Sequence, residues 1–355
     1  MSSKRRCVLA PWKAQVEASV ASHCGRRRHM EDAHVVVSPS EFGELLLGQA
    51  PEGLRIALFA VLDGHNGREA ADVAAEALPR EIASELLASR AWHRRKDVTR
   101  ALRRACENVE RACSTKTNSG CCCVAALVVQ DECHIVNIGD SRAVLVRRGE
   151  AGEPLGDDDV GGPPGVSARH KFPWDFGGPR PRAARALGLT VDHRPTLERE
   201  RIEAAGAEVD GGRVGGLGVS RSFGDAKIKE TARGALVADP DLRVVVALDP
   251  EKDEFIFLAC DGLFEAFSNK TAAQFVRARL LADVSYAGAK PHQWPTPSSV
   301  VKALVDDAVQ NKHATDNVSV ILIRISPRDR PDDLASSSSS TSGRRSSPPP
   351  PPPPP

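Results

Sequence analysis

Short apolar runs, several of them alternating with polar residues, recur along the chain and predict a series of β-strands. Eight such runs are Ala33–Val37, Arg55–Leu62, Cys122–Val129, Cys133–Ile138, Ala143–Val146, Leu242–Leu248, Glu254–Cys260 and Asn317–Ile325. Several neighbouring runs are joined by only a few residues. Such short connections require antiparallel neighbours, because a parallel crossover takes about a dozen residues.

Helical periodicity marks a second set of segments, which are grouped rather than alternating strictly with the strands. The predicted helices are Glu69–Ala88, Val98–Ala112, Thr196–Ala205, Lys270–Leu281 and Pro297–Lys312. This order favours a layered α+β domain with antiparallel sheets over a doubly wound parallel sheet.

Two segments lack any such periodicity. Residues 149–181 hold 8 Gly and 6 Pro in 33 residues, which predicts a long insertion loop that influences substrate choice or has no role of its own. From Pro327 the chain is rich in Ser and Pro and ends in the run Pro348–Pro355, which predicts a disordered tail with polyproline II character. We therefore expect an extension over residues 1–19, one domain over 20–326 and a tail over 327–355.

The overall charge narrows the range of functions. With 48 Lys+Arg against 47 Asp+Glu the formal net charge is +1, which argues against a strongly basic nucleic-acid binder and an acidic disordered chain. The longest apolar run, Cys121–Val129, is too short to cross a membrane. We expect no nucleic-acid and no membrane partner. Because the first residues lack an apolar signal segment, we expect a cytoplasmic location, with the nucleus as the alternative.

Acidic residues recur at the ends of the predicted strands. They are Glu31, Asp32, Asp63, Asp140, Asp261 and Asp316. A single Asp-Gly after a strand is usually only a turn, but acids at several strand ends of one or two sheets converge in space. Like charges at that distance need cations to stay ionised, and oxygen ligands suit Mg²⁺ or Mn²⁺ rather than zinc. The pattern indicates a two-metal site of the kind that hydrolyses phosphate esters.

Two basic groups lie beside these acids in the sequence. His65 directly follows Asp63 and Gly64, where it would be able to protonate a leaving oxygen. Arg27, inside a basic triplet just before Glu31, has the planar guanidinium that binds a phosphate through two parallel hydrogen bonds. Taken alone, each would more often be an ordinary surface residue.

Together these motifs resemble those of the metal-dependent type-2C (PPM) serine/threonine protein phosphatases. Seven blocks resemble family motifs and occur in family order: Arg27–Asp32, Phe59–Gly67, Asn137–Ala143, Leu189–Pro195, Val219–Asp225, Leu258–Glu265 and Thr315–Val318. Seven blocks in order are far more specific than any one of them. The resemblance implies a four-layer α-β-β-α sandwich, in which two packed antiparallel sheets are flanked by helices. This agrees with the strand and helix pattern.

The resemblance also implies which residues would bind two metal ions. Asp63 would bridge the two ions, and Gly64 would contribute its backbone carbonyl. Glu31 would bind one ion, while Asp261 and Asp316 would bind the other.

The remaining matching positions have other implied roles. Asp32 would bind a metal directly or hold a metal-bound water. Asp140 and Asp225 match positions that the family associates with a weaker third metal or with the outer shell. Arg27 would hold the substrate phosphate, and His65 would act as the general acid. Asn66 replaces a family glycine, and we expect the turn to persist because Asn tolerates a left-handed backbone.

The expected activity is hydrolysis of phosphoserine and phosphothreonine proteins by a water molecule that two Mg²⁺ or Mn²⁺ ions activate, without a phosphoenzyme intermediate. One alternative is a pseudophosphatase that keeps the fold as a binding module, which would predict missing acids. A second is a scaffold whose proline tail docks SH3 or WW domains. A third is a two-metal nuclease, which the balanced charge disfavours.

Overall fold

Two six-stranded β-sheets form the frame of the molecule in this computed structural model, which describes residues 12–149, 157–158, 184–281 and 296–328 apart from residues 91, 93 and 233. The first sheet has the order β1 (Ala14–His23), β12 (Val318–Pro327), β11 (Asp253–Ala259), β6 (Arg142–Arg148), β8 (Ala184–Gly188) and β7 (Asp157–Asp158). The second has the order β10 (Val245–Ala247), β5 (Glu132–Ile138), β4 (Gly120–Val129), β3 (Ile56–His65) and β2 (Ala33–Val37), with β9 (Phe223–Gly224) paired to β4.

The pairings between these strands are antiparallel except that of β7 with β8. This result confirms the sheet type expected from the short connections.

Strand β3 shows how the two sheets build separate cores on their two faces. Phe59 and Val61 belong to the apolar core between the sheets, whereas Leu58, Ala60 and Leu62 belong to the core beneath the helices. Successive side chains of a strand point to opposite faces, so a continuously apolar strand supplies both cores.

Helices cover the outer face of each sheet. On the second sheet these are α1 (Pro39–Leu45), α2 (Glu69–Ser89) and α3 (Arg95–Lys116); on the first they are α6 (Asp261–Ala266), α7 (Asn269–Leu281) and α8 (Pro297–Gln310). In α3, Val98, Ala101, Leu102 and Ala105 are buried, which is the spacing of a one-sided amphipathic helix. The arrangement confirms the predicted four-layer α-β-β-α sandwich.

The segment between β8 and β10 carries α4 (Arg199–Ala204) and α5 (Ala226–Thr231). It has a small apolar core of its own, which includes Ile202, Val214 and Leu236. This segment therefore adds a compact unit to the sandwich.

The first strand begins earlier than the expected domain boundary. β1 starts at Ala14, inside the residues 1–19 that the sequence led us to treat as an extension, and it pairs along its whole length with β12. Its sequence, AQVEASVASH, has few large apolar residues, so the strand signal is weak. β8, α1, α5 and α6 also had no clear sequence signal.

The three consecutive cysteines Cys121–Cys123 lie buried in β4, and the eight cysteines that the structure describes are free of disulfides. Most of the predicted 149–181 insertion, and the tail beyond residue 328, lie outside the described residues; the former includes β7. Within the described ranges, no helix combines the length and apolar character needed to cross a bilayer.

Candidate active site

The predicted site residues come from loops at one end of the sandwich. β3 and β5 run in the same direction because β4 pairs antiparallel with both, so Asp63 near the end of β3 and Asp140 after β5 lie at the same edge. In the other sheet, Asp261 follows the end of β11, and Asp316 precedes the start of its antiparallel neighbour β12. Sheet topology therefore brings acids together from distant parts of the chain.

Three of these carboxylates form a close group. Asp63, Asp140 and Asp261 each place an oxygen within 4.8 Å of the others. They line a cavity of about 540 Å³ whose wall also contains other predicted site residues: Arg27, Glu31, Gly64, His65 and Asp316. Glu31 and Asp316 reach this cavity but are not part of the close group.

The surroundings of this group favour protonated carboxyls in the absence of a cation. Burial raises the pKa of Asp63 and of Asp261 well above the ordinary value, and the neighbouring acids raise both further. Burial also raises the pKa of Asp140, with Asp192 as the next contributor, while Arg194 partly offsets the effect. Desolvated like charges of this kind become stable as carboxylates when a cation binds between them.

Asp32 is a further acid beside the group. Its side chain is buried, with 2% exposure, and neither carboxyl oxygen has a hydrogen-bond partner among the described residues. Burial raises its pKa to about 6, although weaker interactions with Ser319 and Cys260 act in the opposite direction. A buried carboxyl without partners is costly unless something else satisfies it. Among the described residues, Asp32 belongs neither to the close group nor to the wall of the cavity.

Close backbone contact holds the Glu31 loop against β3. A Cβ atom at Gly64 would lie 2.3 Å from the backbone oxygen of Glu31, so only glycine permits this approach. The backbone N–H of Glu31 donates to Asn317 Oδ1 at 2.7 Å, and the Asn317 amide donates to the backbone oxygens of Cys24 and His29. Sequence reasoning gave Asn317 no role, although it belongs to the block that carries Asp316.

Arg27 lies over the cavity as a largely exposed cation. Its Nη2 donates to Asp316 Oδ2 at 2.6 Å, and 59% of its side chain is exposed. The structure thus joins the residue predicted to bind phosphate to a residue predicted to bind metal. A guanidinium held at the rim still has donors available for an incoming phosphate.

The two residues expected near a third metal have different surroundings. Asp140 belongs to the close group of carboxylates, whereas Asp225 Oδ2 lies 2.7 Å from Nε2 of His65. Next to His65, Asn66 adopts the left-handed backbone expected of it, with φ of 58°. The last feature confirms that asparagine replaces the family glycine without loss of the turn.

Sequence reasoning missed part of the cavity wall. Cys122 lies on it with its Sγ 3.6 Å from Asp140 Oδ1, and Arg213 and residues 216–219 form another side. Arg213 stands in a glycine-rich segment, where nothing in the local pattern marks it as a cavity residue.

The donor set fits hard divalent cations. It consists of carboxylate and carbonyl oxygens, three of the carboxylates lie close together, and burial makes each of these costly to ionise without a cation. Mg²⁺ and Mn²⁺ prefer such ligands.

Comparison with known proteins identifies the family. A sequence profile described as "Protein phosphatase 2C" matches residues 16–160 and 181–318. The chain belongs to the protein phosphatase 2C family. Two similar proteins are the "Integrin-linked kinase-associated serine/threonine phosphatase 2C" of Mus musculus and the "Probable protein phosphatase 2C 22" of Arabidopsis thaliana. The first is 32% identical over 333 residues, which cover 91% of this chain and 76% of that protein. The second is 29% identical and covers 88% and 70%.

Solved structures support the same fold. The serine-threonine phosphatase 2C from Toxoplasma gondii aligns with a TM-score of 0.61 at 18% identity, covering 89% of this chain and 98% of that one. A sex determining protein of C. elegans has the same TM-score at 21% identity, with 90% and 67% coverage. As a protein phosphatase 2C, this chain is a metal-dependent protein serine/threonine phosphatase and its substrates are phosphoproteins.

Proposed function

We propose that this phosphatase hydrolyses phosphoserine and phosphothreonine with two divalent ions, Mg²⁺ or Mn²⁺, and without a phosphoenzyme intermediate. The observation that carries the proposal is the group formed by Asp63, Asp140 and Asp261, whose oxygens lie within 4.8 Å of one another in a cavity that Arg27 and His65 also line. A signalling role in the cytoplasm belongs to the same proposal.

We propose different roles for the acids at this site. Asp63 would be shared by the two ions, with Asp261 and Asp316 on one of them. Glu31 would bind the other ion, and Gly64 would contribute its backbone carbonyl. Asp32 would be a direct or water-mediated ligand, and Asp140 would be available to a weaker third ion. Bound divalent ions supply a nucleophile near neutral pH by lowering the pKa of water.

The chain's own residues do the rest of the chemistry. Arg27 would bind the substrate phosphate through parallel N–H donors and hold it over the acids. His65 would give a proton to the serine or threonine oxygen as the phosphorus–oxygen bond breaks, because an alkoxide is a poor leaving group. General acid catalysis of this kind accelerates a reaction by about 10²–10⁴-fold.

A second cavity supports a polypeptide substrate rather than a small phosphate ester. It has a volume of about 460 Å³ and adjoins the first, with which it shares Asp140, Gly218 and Asp261. Its wall includes Arg194 and Thr196. We propose that residues flanking the phosphorylated side chain lie along the two cavities.

The test is phosphate release from a phosphothreonine peptide by the full chain. We expect turnover with Mn²⁺, none with excess EDTA, and recovery when Mn²⁺ or Mg²⁺ is added back. A chain that binds the peptide but releases no phosphate with either ion would be a pseudophosphatase. Turnover that EDTA leaves intact would contradict the metal mechanism.

A further inference from the structure

His65 is held by its outer ring nitrogen. The imidazole Nε2 lies 2.7 Å from Oδ2 of Asp225, while Nδ1 has no hydrogen-bond partner within the described part of the chain. The ring lines the cavity and is 23% exposed. A carboxylate only accepts, so Nε2 carries the hydrogen of this bond and Nδ1 is the nitrogen left for the substrate.

Asp225 is built into the protein interior. It is fully buried, its Oδ2 also accepts from Ser222 Oγ at 2.7 Å, and its backbone N–H donates to the oxygen of Ser119 at 3.0 Å. Its φ of 54° is left-handed, which is uncommon for a residue other than glycine. Such a conformation persists only where the surroundings enforce it, and such positions concentrate at functional sites.

A second set of contacts fixes the segment that carries Asp225. Glu110 on α3 accepts from the backbone N–H of Gly224 at 2.8 Å and from Lys229 Nζ at 2.6 Å. Lys229 also donates to the backbone oxygen of Ser222 at 2.8 Å. The segment around Asp225 is therefore clamped to a long helix, outside the cavity.

Gly120 makes room for the contact between His65 and Asp225. It lies opposite His65 in the β3–β4 ladder, and a Cβ atom there would be 2.0 Å from Asp225 Oδ2 and 2.4 Å from His65 Nε2. Any side chain at this position would separate the imidazole from the carboxylate. Glycine is therefore required at position 120 by this close contact and not by the strand itself.

We propose that Asp225 is a positioning residue, which orients the His65 ring and fixes its tautomer so that Nδ1 faces the leaving oxygen of the phosphoserine or phosphothreonine. The inference rests on the proposed function. The ring that donates carries a hydrogen on both nitrogens. As the phosphorus–oxygen bond breaks, its Nδ1 proton moves to the serine or threonine oxygen, while the attacking water gives one proton to solvent and its oxygen, with the other hydrogen, ends on the phosphate. His65 is left neutral with its hydrogen on Nε2, and solvent restores the lost proton.

The experiment compares Asp225→Asn and His65→Ala on two substrates at saturating Mn²⁺. For a phosphothreonine peptide we expect Asp225→Asn to lower kcat by about 10–10²-fold, the usual cost of removing a partner that orients a catalytic side chain. For 4-nitrophenyl phosphate we expect a loss below about threefold, since nitrophenolate leaves without a proton. His65→Ala should show the same selectivity, and adding Asp225→Asn to it should cause no further loss.

A spectroscopic measurement reports the tautomer directly. For the neutral form of the ring, long-range ¹H–¹⁵N correlations of the Mg²⁺-loaded protein should show His65 with its hydrogen on Nε2 in the unmodified chain and a mixture of tautomers in Asp225→Asn, with His65→Ala to assign the signals. Asp306→Asn, which changes a partly exposed acid on α8, is the matched control and should leave both substrates unaffected.

Two results would overturn the inference. The first is an equal loss of turnover on both substrates. The second is a higher Mn²⁺ concentration for half-maximal activity with no difference between the two substrates, which would place Asp225 with the metal ligands. If Asp225→Asn does not fold, Ser222→Ala decides. It removes one hydrogen bond to Asp225 and should lower peptide turnover by about 2–5-fold while leaving turnover of 4-nitrophenyl phosphate nearly unchanged. Equal losses on both substrates, or no loss on either, refute the inference. Failure of the proposed function would look different, because the unmodified chain would release no phosphate.

Discussion

Buried acids at two neighbouring places in the molecule differ in what balances their charge. Asp192 accepts from Nε and Nη2 of Arg142, both at 2.8 Å, and from Arg194 at 3.0 Å, with the side chains of Asp192 and Arg142 only 1% and 5% exposed. The group of Asp63, Asp140 and Asp261 faces a cavity instead, and it has raised pKa values.

The difference shows how one fold uses buried charge for two purposes. A buried ion pair with good geometry is a fixed part of the structure, and breaking it leaves an uncompensated charge. A group of like charges is unstable by itself, and such strongly perturbed groups are concentrated at functional sites. The first arrangement therefore serves stability, and the second serves binding.

The largest expected effect tests the close group of Asp63, Asp140 and Asp261. We expect Asp63→Asn to lower Mn²⁺-dependent turnover of a phosphothreonine peptide by at least about 10³-fold, because metal ions contribute several kcal/mol to the transition state. The metal-free variant should unfold in urea no more readily than the unmodified chain, since the change relieves repulsion among like charges. Retained turnover would contradict the assignment of Asp63.

At the Asp192–Arg142 pair we expect a substitution to change stability instead. We expect Asp192→Asn to lower the free energy of unfolding by about 3–5 kcal/mol, because it leaves Arg142 buried without its carboxylate. Urea titration gives this value. Glu76→Gln, which breaks an exposed pair with Arg80 on α2, is the control and should change stability by less than about 0.5 kcal/mol. A similar small change in both variants would remove the contrast between the two kinds of acid.

Metal binding should stabilise the protein through the close group of carboxylates and not through the Asp192–Arg142 pair. With free Mg²⁺ or Mn²⁺ at about 100 times its Kd, we expect the free energy of unfolding to rise by about 2.7 kcal/mol. The same additions to Asp63→Asn should have little effect. Urea titrations with each ion and with EDTA measure both, and equal stabilisation of the two proteins would point to ion binding elsewhere.

The smallest expected effect concerns pH. His193 accepts from the backbone N–H of Gly139 at its Nδ1, and burial lowers its pKa from 6.5 to about 4, with Arg221 as the next cause. The folded state therefore prefers the neutral ring, so this contribution is complete above pH 6.5 and is lost as the pH falls from 6.5 towards 4. The slope is at most about 1.4 kcal/mol per pH unit.

His193→Asn keeps an acceptor near the position of Nδ1 but does not titrate. We expect the unfolding free energy of this variant to fall less steeply between pH 6.5 and 4.5 than that of the unmodified chain. Other titrating groups are common to both proteins and cancel in the difference. Parallel slopes would show that His193 is not held neutral.

The layers of the fold and most of the candidate site chemistry could be predicted from the pattern of residues along the chain. The period of 3.6 in α3 reflects its one buried face, and the continuous apolar run of β3 reflects a strand buried on both faces. The short connections between strands require antiparallel pairing. The convergence of the acids was predictable because they stand at the ends of strands, and the strand ends of one sheet lie along a shared edge. β1 escaped notice because small and polar residues fill much of a strand that β12 specifies by pairing.

Which acid contacts which partner could not be predicted in this way, because it depends on how distant segments pack together. Asp140 and Asp225 occupy comparable motif positions, yet one joins the carboxylate group and the other contacts His65, a residue 160 positions away in the chain. Local sequence specifies backbone conformation and side-chain chemistry over a few residues. Contacts between distant segments depend on sheet register, on close approaches such as that of Gly120, and on the packing of the segment that carries Asp225 against α3.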